Sequence, residues 1–248
     1  LAVKLALVGE THPASAHTYY CMSVNFRENG NFKLALQYID KYLPVLLQTV
    51  GRKHSDTAYC YFIKGSIYCY SGDYYHTLYF FHQALSIRNQ IFEPQHQLVL
   101  GMYANIGVCY RLMKDYLNAI TYLSHSLNAF KLHYPESVEV AHNLNELAIC
   151  YQLSGQNELA IQLNLEALAI TKKELPAHHN INLGIITNLG LSYLGLQQTS
   201  QAQEYLHEAL QIARSLYGNL HIHVASAFKN IASCYFCTGN YNQALFHC

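Results

Sequence analysis

Histidine returns through this sequence at regular intervals, in the phrases GETHPASA (9–16), GRKHSDTA (51–58), EPQHQLVL (93–100) and NLHIHVA (219–225). An imidazole set beside a turn could ligate a metal, carry a proton in catalysis, or tie the turn together. In register the slot reads His12, His54, His96, Ser137, His179 and His221. Zinc takes its nitrogen ligands at about 2.0–2.1 Å. Equivalent points on neighbouring packed helices lie about 8–10 Å apart, so no two of these histidines can share an ion. The slot stands at the entry to a helix, where backbone N–H groups lack partners. An imidazole there, or the serine at 137, is suited to accept one of them. The histidines are expected to be structural caps.

Other candidate chemistry is no stronger. Cys234-x2-Cys237 followed by His247 and Cys248 has the residue types of a zinc set, but Cys234 and Cys237 fall on one helix and Cys234 in a core position. His178-His179 has no carboxylate or cysteine nearby in sequence. There is no Gly-rich phosphate loop and no G-x-S-x-G elbow. No metal site, cofactor or catalytic activity is expected. The chain has 15 Lys+Arg against 15 Asp+Glu, and its 22 tyrosines run without a basic stripe, which argues against a nucleic-acid partner. The longest apolar stretch, around 98–110, is interrupted by Asn105 and too short to span a bilayer, so no membrane insertion is expected. The sequence opens on Leu1 with no basic n-region or cleavage pattern, so no signal peptide is expected. No Asn-x-Ser/Thr sequon occurs, and three of the eight cysteines (Cys109, Cys150 and Cys234) recur at one place in the pattern. Both features suit a reducing, cytoplasmic setting.

The elements that must position these residues emerge from one aromatic landmark. Phe26, Tyr68, Tyr110, Tyr151, Tyr193 and Tyr235 recur every 41 or 42 residues. Three residues earlier stands Ser23, Gly65, Gly107, Ala148, Gly190 or Ala232, and nine later Ala35, Thr77, Ala119, Ala160, Ala202 or Ala244. Such a period marks a solenoid. Within one unit, Tyr103, Ile106, Gly107 and Tyr110 form a stripe at i, i+3, i+4, i+7; a turn at Lys114–Asp115 precedes a second stripe through Ala119 and Leu123. Small residues are needed where the two helix backbones cross closely. This pattern predicts an all-α fold of helix–turn–helix units, and it resembles the tetratricopeptide repeat.

The 42-residue form, with Gly-x-x-His-Pro between units, resembles the kinesin light chain type of these repeats, as in ALSIRNQIFEPQHQLVLGMYANIGVCY and NIASCYFCTGNYNQAL. The resemblance implies a right-handed superhelical solenoid as a single array over 1–248. Its divisions fall at 1–12 (the second helix of a preceding repeat), 13–54, 55–96, 97–137, 138–179, 180–221 and a partial repeat 222–248. Neither end shows a polar capping helix, so the sequence reads as part of a longer array or protein.

In this fold the first helices line a concave face. Positions nine, six, five and two before each landmark are then exposed inward. The first half of that face is apolar, with Tyr59, Phe62 and Ile63; the second is rich in amides, with Asn145 beside Glu146. Asn105, Asn188 and Asn230 hold one slot, with Glu146 as its fourth-repeat member. An amide side chain offers a donor and an acceptor to a peptide backbone, and the family resemblance implies that use. Only Lys229, and Arg111 at the rim, supply cations. The expected partner is therefore a neutral or partly apolar peptide, not an acidic tail. The expected function is a protein-interaction scaffold or adaptor, with a regulatory or sensor segment of a larger signalling protein, beside an NTPase or transcription module, as the alternative.

Overall fold

A computed structural model describes residues 13–176 and 179–246. Among them the chain forms twelve α-helices and no strand, as the repeat spacing predicts. Packing groups the helices into two compact units, residues 1–115 and 116–248. The first holds α1 (Pro13–Glu28), α2 (Phe32–Thr49), α3 (Ser55–Tyr70), α4 (Tyr74–Ile91) and α5 (Gln97–Leu112). The second holds α6 (Tyr116–His133), α7 (Val138–Leu153), α8 (Asn157–Glu174), α9 (Asn180–Gly195), α10 (Thr199–Tyr217), α11 (Ile222–Cys237) and α12 (Tyr241–Phe246). No helix among the described residues is long and apolar enough to cross a membrane. The helix expected over 1–12, with His12, lies outside the described residues, as do His178, His247 and Cys248.

The landmark aromatic marks where each first helix stops. Its carbonyl accepts the backbone N–H five residues on, from Asn31 to Phe26, Asp73 to Tyr68, Gln156 to Tyr151 and Asn240 to Tyr235. This wrap satisfies a helix-end carbonyl and requires a left-handed residue just before the donor. Glycine supplies it at Gly30, Gly72, Gly155 and Gly239. In the remaining two turns Lys114 (φ 64°) and Gln197 (φ 59°) take the same conformation against the preference of an L side chain. The next residue begins the second helix, and Asn31, Asp73 and Asn240 each cap it by accepting from the N–H three residues on.

The small positions lie where paired helices meet. Ser23 is buried in the first pair and donates its hydroxyl to the Ala35 carbonyl at 2.9 Å. A Cβ on Gly65 would fall 2.6 Å from the Phe81 ring, and one on Gly190 2.7 Å from Leu206 Cγ. Ala160 and Ala202 are fully buried. In the first unit Ala35, Ile39, Leu46, Cys60, Ile63 and Ile67 form a core on which Phe26, Tyr42 and Phe62 pack.

Candidate functional site

The recurring histidines do cap helices. The Nδ1 atoms of His54, His96, His179 and His221 accept the backbone N–H of Asp56, Leu98, Ile181 and His223, at 3.2, 3.1, 3.3 and 3.3 Å. Each imidazole must therefore carry its proton on Nε2. His96 also stacks on Phe92, with centroids 4.2 Å apart, and His221 on Tyr217 at 4.5 Å. Both aromatics precede their histidine by four residues, a pairing that the capping pattern alone does not reveal. Ser137 departs from its expected role. It holds the N-cap place before α7 but makes no side-chain cap bond, because its Oγ is buried instead of reaching the helix entry. Removing the imidazole in His54→Ala or His179→Ala is expected to lower stability by about 1 kcal/mol, the worth of one cap, in a urea melt. Cys234 fills a core position, with Sγ 3.8 Å from the Thr199 carbonyl, while Cys237 is exposed. No group of three His, Cys, Asp or Glu among the described residues is arranged to hold a metal ion.

The second unit brings its amides together. Asn145 stands on α7, Asn188 on α9 and Asn230 on α11. Asn188 donates Nδ2 to Asn145 Oδ1 at 2.7 Å. One Asn188 N–H and the Asn145 oxygen are thus engaged with each other. Beside them lies an open cleft of about 350 Å³, lined by Asn188, Asn230, Thr187, Ser226, Tyr217 and His223 among others. Gly184 contributes to its openness: a Cβ there would meet nothing within 4 Å. Among the described residues no lysine or arginine lines the cleft. Glu146 is only 9% exposed, and exposed Lys229 faces a separate apolar groove with Phe228 and Phe236.

In the first unit the aromatic residues form a ladder. Tyr20 on α1 and Tyr59 on α3 share a hydroxyl hydrogen bond at 3.2 Å, with ring centroids 6.0 Å apart. Phe62 stacks between Tyr59, at 6.0 Å, and Phe81, at 5.6 Å. The bond to Tyr59, then burial, push the Tyr20 phenol up to about 12, and burial does the same to Tyr42. Both phenols are neutral at ordinary pH. Tyr59 is 41% exposed and available to a partner. Ile63 is not. It is 3% exposed within the core, a correction to its expected place on the inner surface. Its slot lies on the boundary between core and surface, and an apolar side chain there turns inward. Asn105 gives Nδ2 to the Gly101 carbonyl of its own helix at 2.6 Å, which leaves its oxygen. Arg111 is half-buried, and its charge opposes the upward effect of burial on the Cys69 thiol.

One neighbour of this ladder escaped the sequence reading. Arg88 on α4 is 7% exposed, donates Nη1 to the Leu98 carbonyl at 2.7 Å, and holds its guanidinium 5.7 Å from the Phe62 centroid. The repeat register could have found it: 42 residues either side stand buried Leu46 and Phe130. A cation in an apolar slot is the signal.

A family model described as Tetratricopeptide repeat matches residues 98–173 and 182–247. No curated protein sequence matches the chain. Among solved structures, kinesin light chain TPR-like repeats from Podosopora anserina superpose with a TM-score of 0.65 at 20% identity, over 83% of this chain and 98% of that one. Aspartyl phosphate phosphatase F from Bacillus subtilis gives 0.75 at 14% identity, over 99% and 70%. NprR in complex with its cognate peptide NprX gives 0.66 at 14% identity, over 94% and 64%. At these identities the likeness is one of fold.

Proposed function

This chain belongs to the tetratricopeptide repeat family, with repeats of the kinesin light chain type, and we propose that it is a protein-interaction scaffold or regulator that seats a peptide segment of its partner on its first helices. The observation that carries this reading is the amide set of the second unit. Asn145 and Asn188 are already hydrogen-bonded to each other, and Asn188 shares an open cleft with Asn230. Amides held in this way offer fixed acceptors and donors to the backbone of an extended chain, and backbone pairing requires little of the ligand's sequence. NprR, seen with its cognate peptide, shows that a protein of this fold can hold one. Selectivity would come from side chains, and the exposed Tyr59 beside half-buried Phe62 in the first unit offers an apolar anchor. The partner is a neutral or partly apolar segment, and the module acts by binding, not by catalysis. A reducing, cytoplasmic setting suits a chain whose recurrent Cys109, Cys150 and Cys234 fill core positions.

The test is a titration of a peptide recovered by this chain from an array. Asn188→Ala with Asn230→Ala is expected to weaken binding by about 1–3 kcal/mol while the protein stays folded, since each amide is lost from the surface and not the core. Affinity should fall little between low and high salt, because surface charge contributes little to the contact. Unchanged affinity in the double variant, or a steep salt dependence, refutes the assignment.

A further inference from the structure

Three core slots change character within α7–α9. Asn164 on α8 is fully buried where the other second helices carry Ile39, Phe81, Leu123 and Leu206, all at most 4% exposed. Asn143 on α7 takes the place of Cys60, Met102, Ile185 and Ala227. Ser192 on α9 takes the place of Ile67, Cys109, Cys150 and Cys234. The substituted groups are only partly compensated, since Asn143 donates Nδ2 to the Glu139 carbonyl at 2.8 Å. Both Asn164 side-chain atoms, Asn143 Oδ1, Ser192 Oγ and the Ser137 Oγ that precedes α7 are buried with no hydrogen-bond partner among the described residues.

Four buried hydroxyls of the first unit behave differently. Ser23 donates to the Ala35 carbonyl, Thr57 to Gly51, Ser66 to Ile63 and Thr77 to Asp73. A buried polar group without a partner loses its water and gains nothing in return. In a repeat protein each unit is stabilised only by itself and its neighbours, so this cost falls where it arises. Opening α8 returns both Asn164 groups to water and lets Asn143 and Ser192 follow.

We propose that α7 and α8, with the facing side of α9, form a built-in opening segment: they separate from the second unit under native conditions while α10 stays closed. The Asn188–Asn145 hydrogen bond ties α7 to α9 and acts as the clasp of this segment. Resting on the peptide reading above, a partner that bridges the same two amides would shut it, so binding and ordering are coupled. Asn164 then stands in the core as a regulator of stability and not as a ligand contact.

Hydrogen exchange followed by mass spectrometry on the intact chain tests this in the absence of any partner. Amides in the middle of α8 are expected to exchange at least tenfold faster than those of α10, which has Leu206 in the equivalent slot. Asn164→Leu should slow α8 by at least tenfold, and Leu206→Asn should transfer fast exchange to α10. Asn188→Ala should speed α8 further. Exchange of α8 as slow as that of α10, or an Asn164→Leu variant with unaltered exchange, overturns the opening segment. Unaltered α8 exchange in Asn188→Ala overturns the clasp. Neither outcome depends on peptide affinity, so a failed titration of the Asn188/Asn230 variant removes the peptide reading and leaves this one standing.

Discussion

Gly190→Leu is expected to destabilise the second unit by about 3 kcal/mol, the upper part of the range for forcing bulk into a packed interior. The first added carbon already meets Leu206 Cγ at 2.7 Å and Cδ2 at 2.8 Å, with the Leu206 backbone nitrogen at 3.3 Å. A leucine side chain can rotate away from such a contact. A helix backbone cannot, and three further carbons of the new side chain have to pass the same gap. Against this stands the gain of replacing a helical glycine, up to about 1 kcal/mol. Gly184 lies on the same helix and isolates that gain, because a Cβ there meets nothing within 4 Å. Gly184→Ala should therefore be neutral or stabilising by up to about 1 kcal/mol. The urea midpoint must fall in Gly190→Leu and must not fall in Gly184→Ala. If Gly190→Leu melts with the native protein, α9 and α10 do not cross at this position and the repeat register is wrong.

The register itself was legible because it is written in residues whose constraint is local. A landmark aromatic whose carbonyl closes a turn, a small residue at a helix crossing and a histidine whose Nδ1 meets the second N–H of a helix each need only their own neighbourhood. The histidines could be assigned from spacing for that reason: distance alone excludes shared coordination, and the helix entry supplies the donor. Ser137 shows the limit of the same logic, since its residue type suits a cap but its hydroxyl is buried and the cap bond is not made. Lys114 and Gln197 show another. Turn geometry imposes the left-handed conformation there, and only four of the six turns advertise it with glycine.

The inner surface was harder to read. Its slots sit at the edge of the core, where the side chain present decides between surface and interior. In the slot five before the landmark, Asn188 and Asn230 line a cleft, Glu146 is nearly buried and Ile63 joins the core. Helical periodicity places all four alike. Arg88 and Asn164 were missed for the opposite reason: they lie on second helices, away from the face that the peptide reading draws attention to. Comparison across repeats exposes them, because each is polar in a slot where other repeats are apolar.

The thiols offer the largest contrast the structure predicts. At pH 8 a maleimide should modify exposed Cys21 and Cys237 promptly, while Cys60 and Cys109 react far more slowly. Burial disfavours the thiolate and pushes both Cys60 and Cys109 up to about 12, from an ordinary value of 9.0. Three units is roughly a thousandfold less thiolate, and the thiolate is the nucleophile. Cys234 is shifted in the same direction by the same cause. Restricted access to the buried sulfur slows the closed state further, so labelling of the buried set in the native protein measures opening. Cys109, Cys150 and Cys234 occupy one slot in three of the repeats and are each at most 1% exposed, so they form an internal comparison. Cys150 lies on α7, within the proposed opening segment. It should be modified ahead of Cys109, and Asn164→Leu should remove that lead without changing Cys21. Cys109 reacting as fast as Cys21 would show that the core slot is open in solution. Equal rates for Cys109 and Cys150 in the native chain would show that α7 is held as firmly as α5, and would place the unpaired polar groups of α7–α9 in a core that tolerates them.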